Sequence, residues 1–378
     1  MIYLDNAAST HPKPESVYQA VDEALRIGAN PGRSGHRVAL EAARLVFETR
    51  SSLAELLGVA DSSRIVFTLN ATYALNQALK GSLVAGDHVV TTTMEHNSVL
   101  RPLHQLARSG VERTLVEADR EGRVAPAALE RALRPNTRLV VLNHASNVCG
   151  TLQDAAAVGE LCRRKGLLFL LDASQTAGAL PLDVHDLGVH LLAAPGHKGL
   201  LGPQGTGFLY VAPGVELAPT VEGGTGNLSE LRTMPEELPE ALEPGTLNAP
   251  GIAGLGAGVR WLLERGVGAV RRAEEELLRY VLPELARIPG LILYGPAEAE
   301  SRVAVVSFNL EGRDGAHVGF ALDEVYGIAV RVGLHCAPDA HGSLGSLPQG
   351  SVRASFGPFN TLKDAEALVR ALRELASL

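Results

Sequence analysis

Covalent chemistry has few candidate residues in this 378-residue chain: five lysines (Lys13, Lys80, Lys165, Lys198, Lys363) and three cysteines (Cys149, Cys162, Cys336). Four of the lysines sit among polar residues or near expected helix ends, where lysine is ordinarily solvated. Lys198 stands instead in GHKGLLGPQGTG, among glycines and apolar residues just past an expected strand. Desolvation there favours the neutral amine. It reads as a Schiff-base lysine or as a lysine in a Gly-rich turn. Asp172 ends the run LLFLLD, and a carboxylate there needs a strong partner or a ligand. It either pairs with a pyridinium nitrogen or caps the next turn. Cys336, in RVGLHCAPDAH, has Arg331 and two histidines close in sequence, and cationic neighbours stabilise thiolate. His335, Cys336 and His341 as metal ligands would lack a fourth donor. Cys162 reads as a half-buried small hydrophobe on a helix.

Three further positions have two readings each. Asn70-Ala71-Thr72 opens a helix after a strand, so its free amides suit a phosphate or the asparagine is a plain cap. His96 lies between a strand and a helix, where it either stacks on a cofactor ring or is a surface polar residue. Arg353, in VRAS, suits a bidentate grip on a carboxylate or a surface ion pair. Neither a G-x-x-x-x-G-K-[ST] nor a G-x-G-x-x-G signature follows a strand, which argues against a nucleotide cradle.

The elements that must position these residues alternate in type. Short apolar runs at 64–68, 88–92, 138–142, 167–171, 190–193 and 207–211 read as strands buried on both faces. Helical patterns at 72–83, 98–108, 125–133 and 155–165 lie between them. The alternation predicts an α/β domain with a mostly parallel sheet, and ligands there bind beyond the carboxyl ends of the strands. From 214 to 250 the chain is rich in Gly, Pro and Glu and reads as a long irregular excursion, of the kind that is usually functional. Helices at 252–266 and 270–286, strands near 291–294, 303–309, 328–331 and 352–355, and a final helix at 362–375 form a smaller α/β unit.

Composition excludes several classes. With 34 basic and 42 acidic residues the net charge is −8, so there is no basic excess for nucleic acid. No apolar run approaches the roughly 18–20 residues that span a bilayer. The start, MIYLDNAAST, lacks the features of a signal peptide. Three cysteines, an odd number, fit a reducing cytosol rather than a disulfide scaffold, so a cytoplasmic location is expected.

The ordered set YLDNAAST, NATYALN, MEHNSV, SNVCGT, DASQTAG, GHKGLLGPQGTG, EPGTLNAPG and RVGLHCA covers nearly the whole chain. It resembles the class V aminotransferase-like, pyridoxal phosphate-dependent cysteine desulfurases, and most of all the sequence group with R-x-G-x-H-C-A around its cysteine. The resemblance implies a fold-type I enzyme: a large domain at 14–250 with a seven-stranded-type sheet, and a small domain from 1–13 and 251–378 carrying the cysteine. It implies pyridoxal 5'-phosphate on Lys198, with Asp172 at the pyridine nitrogen, His96 stacked on the ring and Gln175 at the phenolic oxygen. Ala71, Thr72 and His197 would hold the phosphate. Thr246 would reach the phosphate of a neighbouring subunit, so a homodimer follows. Arg353, assisted by Arg331, would hold the substrate carboxylate, with Asn147 nearby. Cys336 would take sulfur from L-cysteine as a persulfide, release L-alanine and pass the sulfur to an acceptor, a protein being one candidate. Selenocysteine lyase, transamination and β-elimination are the neighbouring class V reactions, and a non-catalytic scaffold is the reading outside enzymes; the thiol favours sulfur or selenium transfer. One departure stands out. Pro195 occupies a phosphate-site position that is often Ser or Thr in the family, and it offers neither hydroxyl nor N–H.

Overall fold

The computed structural model describes residues 1–31 and 35–378. The first half runs β1 (Ile2–Tyr3), α1 (Glu15–Ile27), α2 (Arg37–Leu56), β2 (Ile65–Thr68), α3 (Ala71–Ser82), β3 (His88–Thr92), α4 (Asn97–Arg108), β4 (Glu112–Val116), α5 (Pro126–Arg131), β5 (Thr137–Asn143), α6 (Ala155–Lys165), β6 (Leu168–Asp172), β7 (Leu191–Pro195) and β8 (Gly207–Val211). After the excursion come α7 (Ala249–Arg265), α8 (Val267–Ala286), β9 (Leu291–Tyr294), β10 (Val305–Leu310), α9 (Gly315–Glu324), β11 (Ile328–Ala329), β12 (Arg331–Gly333), α10 (Pro338–Leu344), β13 (Ser351–Ser355) and α11 (Leu362–Ser377).

Seven strands form the central sheet in the order β2-β8-β7-β6-β5-β3-β4. β8 pairs antiparallel with β2 and β7, and the other pairs are parallel. The expected mostly parallel α/β sheet is therefore present. β5 through β8 are almost wholly buried, as continuous apolar runs between two helical layers require. β4 (ERTLV) gives no such signal, because it is the edge strand and only Val116 is buried. The patterning also names no element over 15–56, where α1 and α2 lie. Both pack on α7. A second sheet, β12-β13-β10-β9, is antiparallel.

The chain forms two main hydrophobic cores. Ile252, Leu255, Val259 and Leu262 of α7, and Ala337, Ala340 and Leu344 around α10, join the core of the large sheet. The second core starts at Leu277 and includes Leu4. α7 thus packs against α1 and α2 and contributes to the core of the large sheet. The segment that follows Cys336 packs there too.

Candidate active site

β2, β3, β5, β6 and β7 all run the same way, so the loops leaving their carboxyl ends meet at one edge of the sheet. A cavity of about 260 Å³ lies there, lined from each of these ends. A larger one, about 1430 Å³, follows the excursion but holds none of the residues singled out for chemistry. The smaller cavity is therefore the site.

After β2, Asn70 caps α3 by accepting from Tyr73 N at 3.1 Å. Ala71 and Thr72 line the cavity in a first turn whose amides the helix itself cannot satisfy. β8 crosses this cap closely: a Cβ on Gly207 would lie 2.8 Å from Asn70 Cα, so the strand must begin with glycine. After β3, His96 caps α4, with Nδ1 accepting from Ser98 N at 3.0 Å and 2.8 Å from Ser98 Oγ. Ser98 Oγ also lies 2.8 Å from Thr72 Oγ1. With Nδ1 an acceptor, the neutral ring carries its proton on Nε2. Burial, reinforced by Lys198, pushes the His96 pKa down to about 4. The ring is thus neutral and held in one orientation at the cavity.

Asp172 ends β6, only 2% exposed. Its Oδ1 accepts from Ser174 N at 2.9 Å and it lines the cavity, so it both caps the turn and faces the site. Gln175 donates to Ala7 O at 3.1 Å, which leaves its second amide hydrogen free. After β7 the chain doubles back: Leu201 N bonds Lys198 O at 2.9 Å and Gly202 N bonds Gly196 O at 2.7 Å. Leu201 is fully buried with φ +62°, a left-handed position costly for a branched side chain. Thr10 ties this loop to the N-terminal segment through Lys198 O at 2.8 Å and His197 O at 3.0 Å. Burial lowers the Lys198 pKa to about 8, with Asp172 opposing the shift. His197 is likewise pushed down to about 4 by burial and the two lysines Lys198 and Lys13.

Two buried atoms facing this region have no partner among the described residues: His197 Nδ1 and Asn147 Oδ1. Together with the α3 amides, the Asp172 carboxylate and the Lys198 amine, they fit a flat, phosphate-bearing pyridine aldehyde. Pro195 lines the cavity and adds no donor.

Arg331, Cys336 and Arg353 are not among the residues that line this cavity. Cys336 is exposed, and it and His335 both have left-handed backbones, φ +61° and +48°. Their turn is pinned by Asn97 N to Cys336 O at 2.8 Å and Asn147 Nδ2 to His335 O at 2.7 Å. Arg331 Nη2 lies 3.8 Å from Cys336 Sγ. His335 and His341 are engaged by Ser351 and Ser346, and among the described residues no three acidic, cysteine or histidine groups converge on a metal position. Arg353 is 1% exposed. Its Nη2 pairs with Asp5 at 2.7 Å and its Nη1 reaches Asn147 O at 2.9 Å, while its Nε has no partner among the described residues. It is thus a buried ion pair with donor capacity left over. Thr246 is exposed and lies outside the cavity lining.

Glu95 does not emerge from sequence reasoning. It is fully buried, accepting from Thr92 Oγ1 at 2.7 Å and Asn143 N at 3.0 Å. Burial, with Asp172 adding to it, raises its pKa to about 8.

The aminotransferase class-V family model matches residues 2–368. A probable cysteine desulfurase of Methanothermobacter thermautotrophicus is 37% identical, spanning 100% of this chain and 95% of the relative. A solved cysteine desulfurase from Thermococcus onnurineus, in its apo form, superposes with a TM-score of 0.92 at 33% identity, covering 100% of this chain and 94% of that one. The Escherichia coli cysteine desulfurase in an S-sulfonic acid form gives 0.88 at 28% identity, covering 99% and 94%.

Proposed function

The chain belongs to the aminotransferase class-V family, and from that premise we infer that it is a pyridoxal phosphate-dependent cysteine desulfurase. L-cysteine and the Cys336 thiol become L-alanine and a Cys336 persulfide. The carrying observation is that one edge of the sheet gathers a buried amine of lowered pKa, Lys198, a buried carboxylate, Asp172, and an exposed thiol whose backbone is bonded beside His96. The cysteine desulfurases among its relatives support the same reading.

Pyridoxal phosphate, when bound, supplies a sink for the electron pair left on the substrate Cα. Ala71, Thr72 and His197 would hold its phosphate, Asp172 its ring nitrogen, His96 its ring face and Gln175 its phenolic oxygen. With a pKa near 8, the Lys198 amine is neutral in a useful fraction of molecules, free to bond the cofactor and to move the Cα proton. Arg331 and the free donors of Arg353 hold the substrate carboxylate, and Asn147 offers its bare Oδ1. The Arg331 guanidinium lies 3.8 Å from Sγ. Cys336 Sγ then bonds the substrate sulfur as the Cβ–S bond breaks, so the carbon skeleton leaves as alanine. The atoms balance with no external oxidant. Thr246, exposed and outside its own cavity, supports an arrangement in which it completes the site of a second copy. Free, unpaired cysteines suit a reducing compartment, in keeping with a cytoplasmic enzyme.

The test is to load the protein with pyridoxal phosphate, follow its absorption band, add L-cysteine and measure alanine. Lys198→Ala should lose the band characteristic of the lysine-bound cofactor and form no alanine. An unchanged band would remove Lys198 from its assigned role.

A further inference from the structure

Cys336 is outside the cavity lining, yet its sulfur must meet the substrate sulfur. Two hydrogen bonds join its turn to the cavity region. Asn97 N, next to the lining residue His96, donates to Cys336 O at 2.8 Å. The Asn147 side chain, itself in the lining, donates from Nδ2 to His335 O at 2.7 Å. Both carbonyls belong to residues with left-handed backbone, φ +61° at Cys336 and +48° at His335. Residues with side chains hold such a conformation only where their surroundings fix it. The Asn147–His335 bond is buried, so solvent does not compete for that carbonyl. Asn147 is in turn held by its own loop. Ser146 Oγ accepts from Val148 N at 3.1 Å and from Cys149 N at 3.3 Å, and Gly150 N donates to Ser146 O at 2.8 Å. A Cβ on Gly150 would lie 2.8 Å from Val305 O, so the loop packs directly on β10. The Asn147 carbonyl accepts from Arg353 Nη1 at 2.9 Å, and its Oδ1 is buried with no partner among the described residues. One residue therefore touches the cavity, the arginine assigned to the substrate carboxylate and the turn that carries the thiol.

We propose that Asn147 is a positioning residue for sulfur transfer: it sets the Cys336 thiol relative to the grip on the substrate carboxylate, beyond any part it has in binding. The inference rests on the persulfide reading above. In L-cysteine the carboxylate and the sulfur are a fixed few bonds apart. Once Arg353 holds the carboxylate, the place of the substrate sulfur is narrowly set, and Cys336 Sγ must approach it in line with the Cβ–S bond. Asn147 carries both references. Its carbonyl orients Arg353, and its amide nitrogen holds the turn at His335. Only the nitrogen can serve there, because His335 O accepts and so needs a donor. Without that donor the turn loses one of the two ties described above, and Sγ no longer keeps one place.

Asn147→Ala and Asn147→Leu, the second keeping a branched side chain of similar size, are compared with the parent in cofactor-loaded form. Hydrogen–deuterium exchange over residues 334–345 reads the turn, where Ala337 N donates to Leu334 O at 2.9 Å. Titrating the cofactor band with L-alanine, which has the substrate carboxylate but no sulfur, reads binding. Single-turnover mass spectrometry at saturating L-cysteine reads the rate at which Cys336 gains sulfur. Both variants should exchange faster over the turn and fill Cys336 about tenfold more slowly at saturation, the weight of one buried hydrogen bond. Their affinity for L-alanine should change by less. A saturated rate equal to the parent's, an affinity loss as large as the rate loss, or a turn exchanging as slowly as in the parent overturns the proposal alone. Absence of persulfide on Cys336 in the parent overturns the sulfur-transfer reading and this proposal with it.

Discussion

Replacing Glu243 by Gln should destabilise the large domain, although the residue touches no substrate. Glu243 closes the excursion onto the sheet: its two oxygens meet Arg50 Nη1 at 2.7 Å and Nη2 at 2.9 Å, with side-chain exposures of 6% and 8%. Oε1 also accepts from Phe67 N at 2.5 Å. Arg50 in turn donates to Ile65 O and lies 4.6 Å from the Phe67 ring. The pair thus fixes β2, the strand that delivers Asn70 and Thr72 to the site. Glu243→Gln leaves the Arg50 charge buried without its anion. Breaking one side of such a pair costs about 3–5 kcal/mol. At roughly 2 °C per kcal/mol for an unfolding unit of this size, the melting temperature falls by about 6–10 °C. Burial raises the Glu243 pKa in spite of Arg50, so desolvation outweighs the attraction. The double change Arg50→Met with Glu243→Leu should therefore recover most of the loss. Differential scanning calorimetry of the three proteins measures both effects. A single variant within about 1 °C of the parent, or a double variant no more stable than the single, would refute the reasoning.

Two other outcomes follow from buried groups. Glu95 has a folded-state pKa near 8, above its unfolded value, so its contribution to stability is complete below the unfolded pKa and is lost as pH rises through about 8. Denaturant titrations between pH 5 and 9 should show the parent losing stability relative to Glu95→Gln, and parallel curves would mean that Glu95 is charged when folded. Arg302, fully buried, donates to the carbonyls of Pro296, Cys149, Tyr294 and Val305. Arg302→Met should cost more than about 3 kcal/mol by stranding those acceptors, read as a lower urea midpoint; an unchanged midpoint would show that they find other donors.

How much of this was legible depends on whether burial leaves a local trace. Lys198 and Asp172 are charged residues placed straight after apolar strands, and that contrast is visible in one dimension. The central strands are visible too, with ends off by a residue or two: β6 runs on to include Asp172 itself. Edge strand β4 is polar and carries no such contrast. Helix α7 reads as the start of a new unit, because sequence order cannot reveal that it packs back on α1 and α2. The Arg353–Asp5 pair joins residues 348 positions apart, so the arginine's charge is legible but its partner is not. Glu95 looks like surface in TTTMEHNS. Only the approach of β5, which brings Asn143 N to its oxygen, makes it a buried acid.

The central claim is that Cys336 receives the sulfur that L-cysteine loses. A single-turnover experiment with the cofactor-loaded protein tests it most directly, mapping cysteine peptides by mass spectrometry while alanine is counted. The account predicts one sulfur added to the Cys336 peptide for each alanine formed, none on Cys149 or Cys162, and no stable sulfur adduct in Cys336→Ala. Alanine and sulfide released at the parent rate by Cys336→Ala, or the added sulfur found on another cysteine, would contradict it.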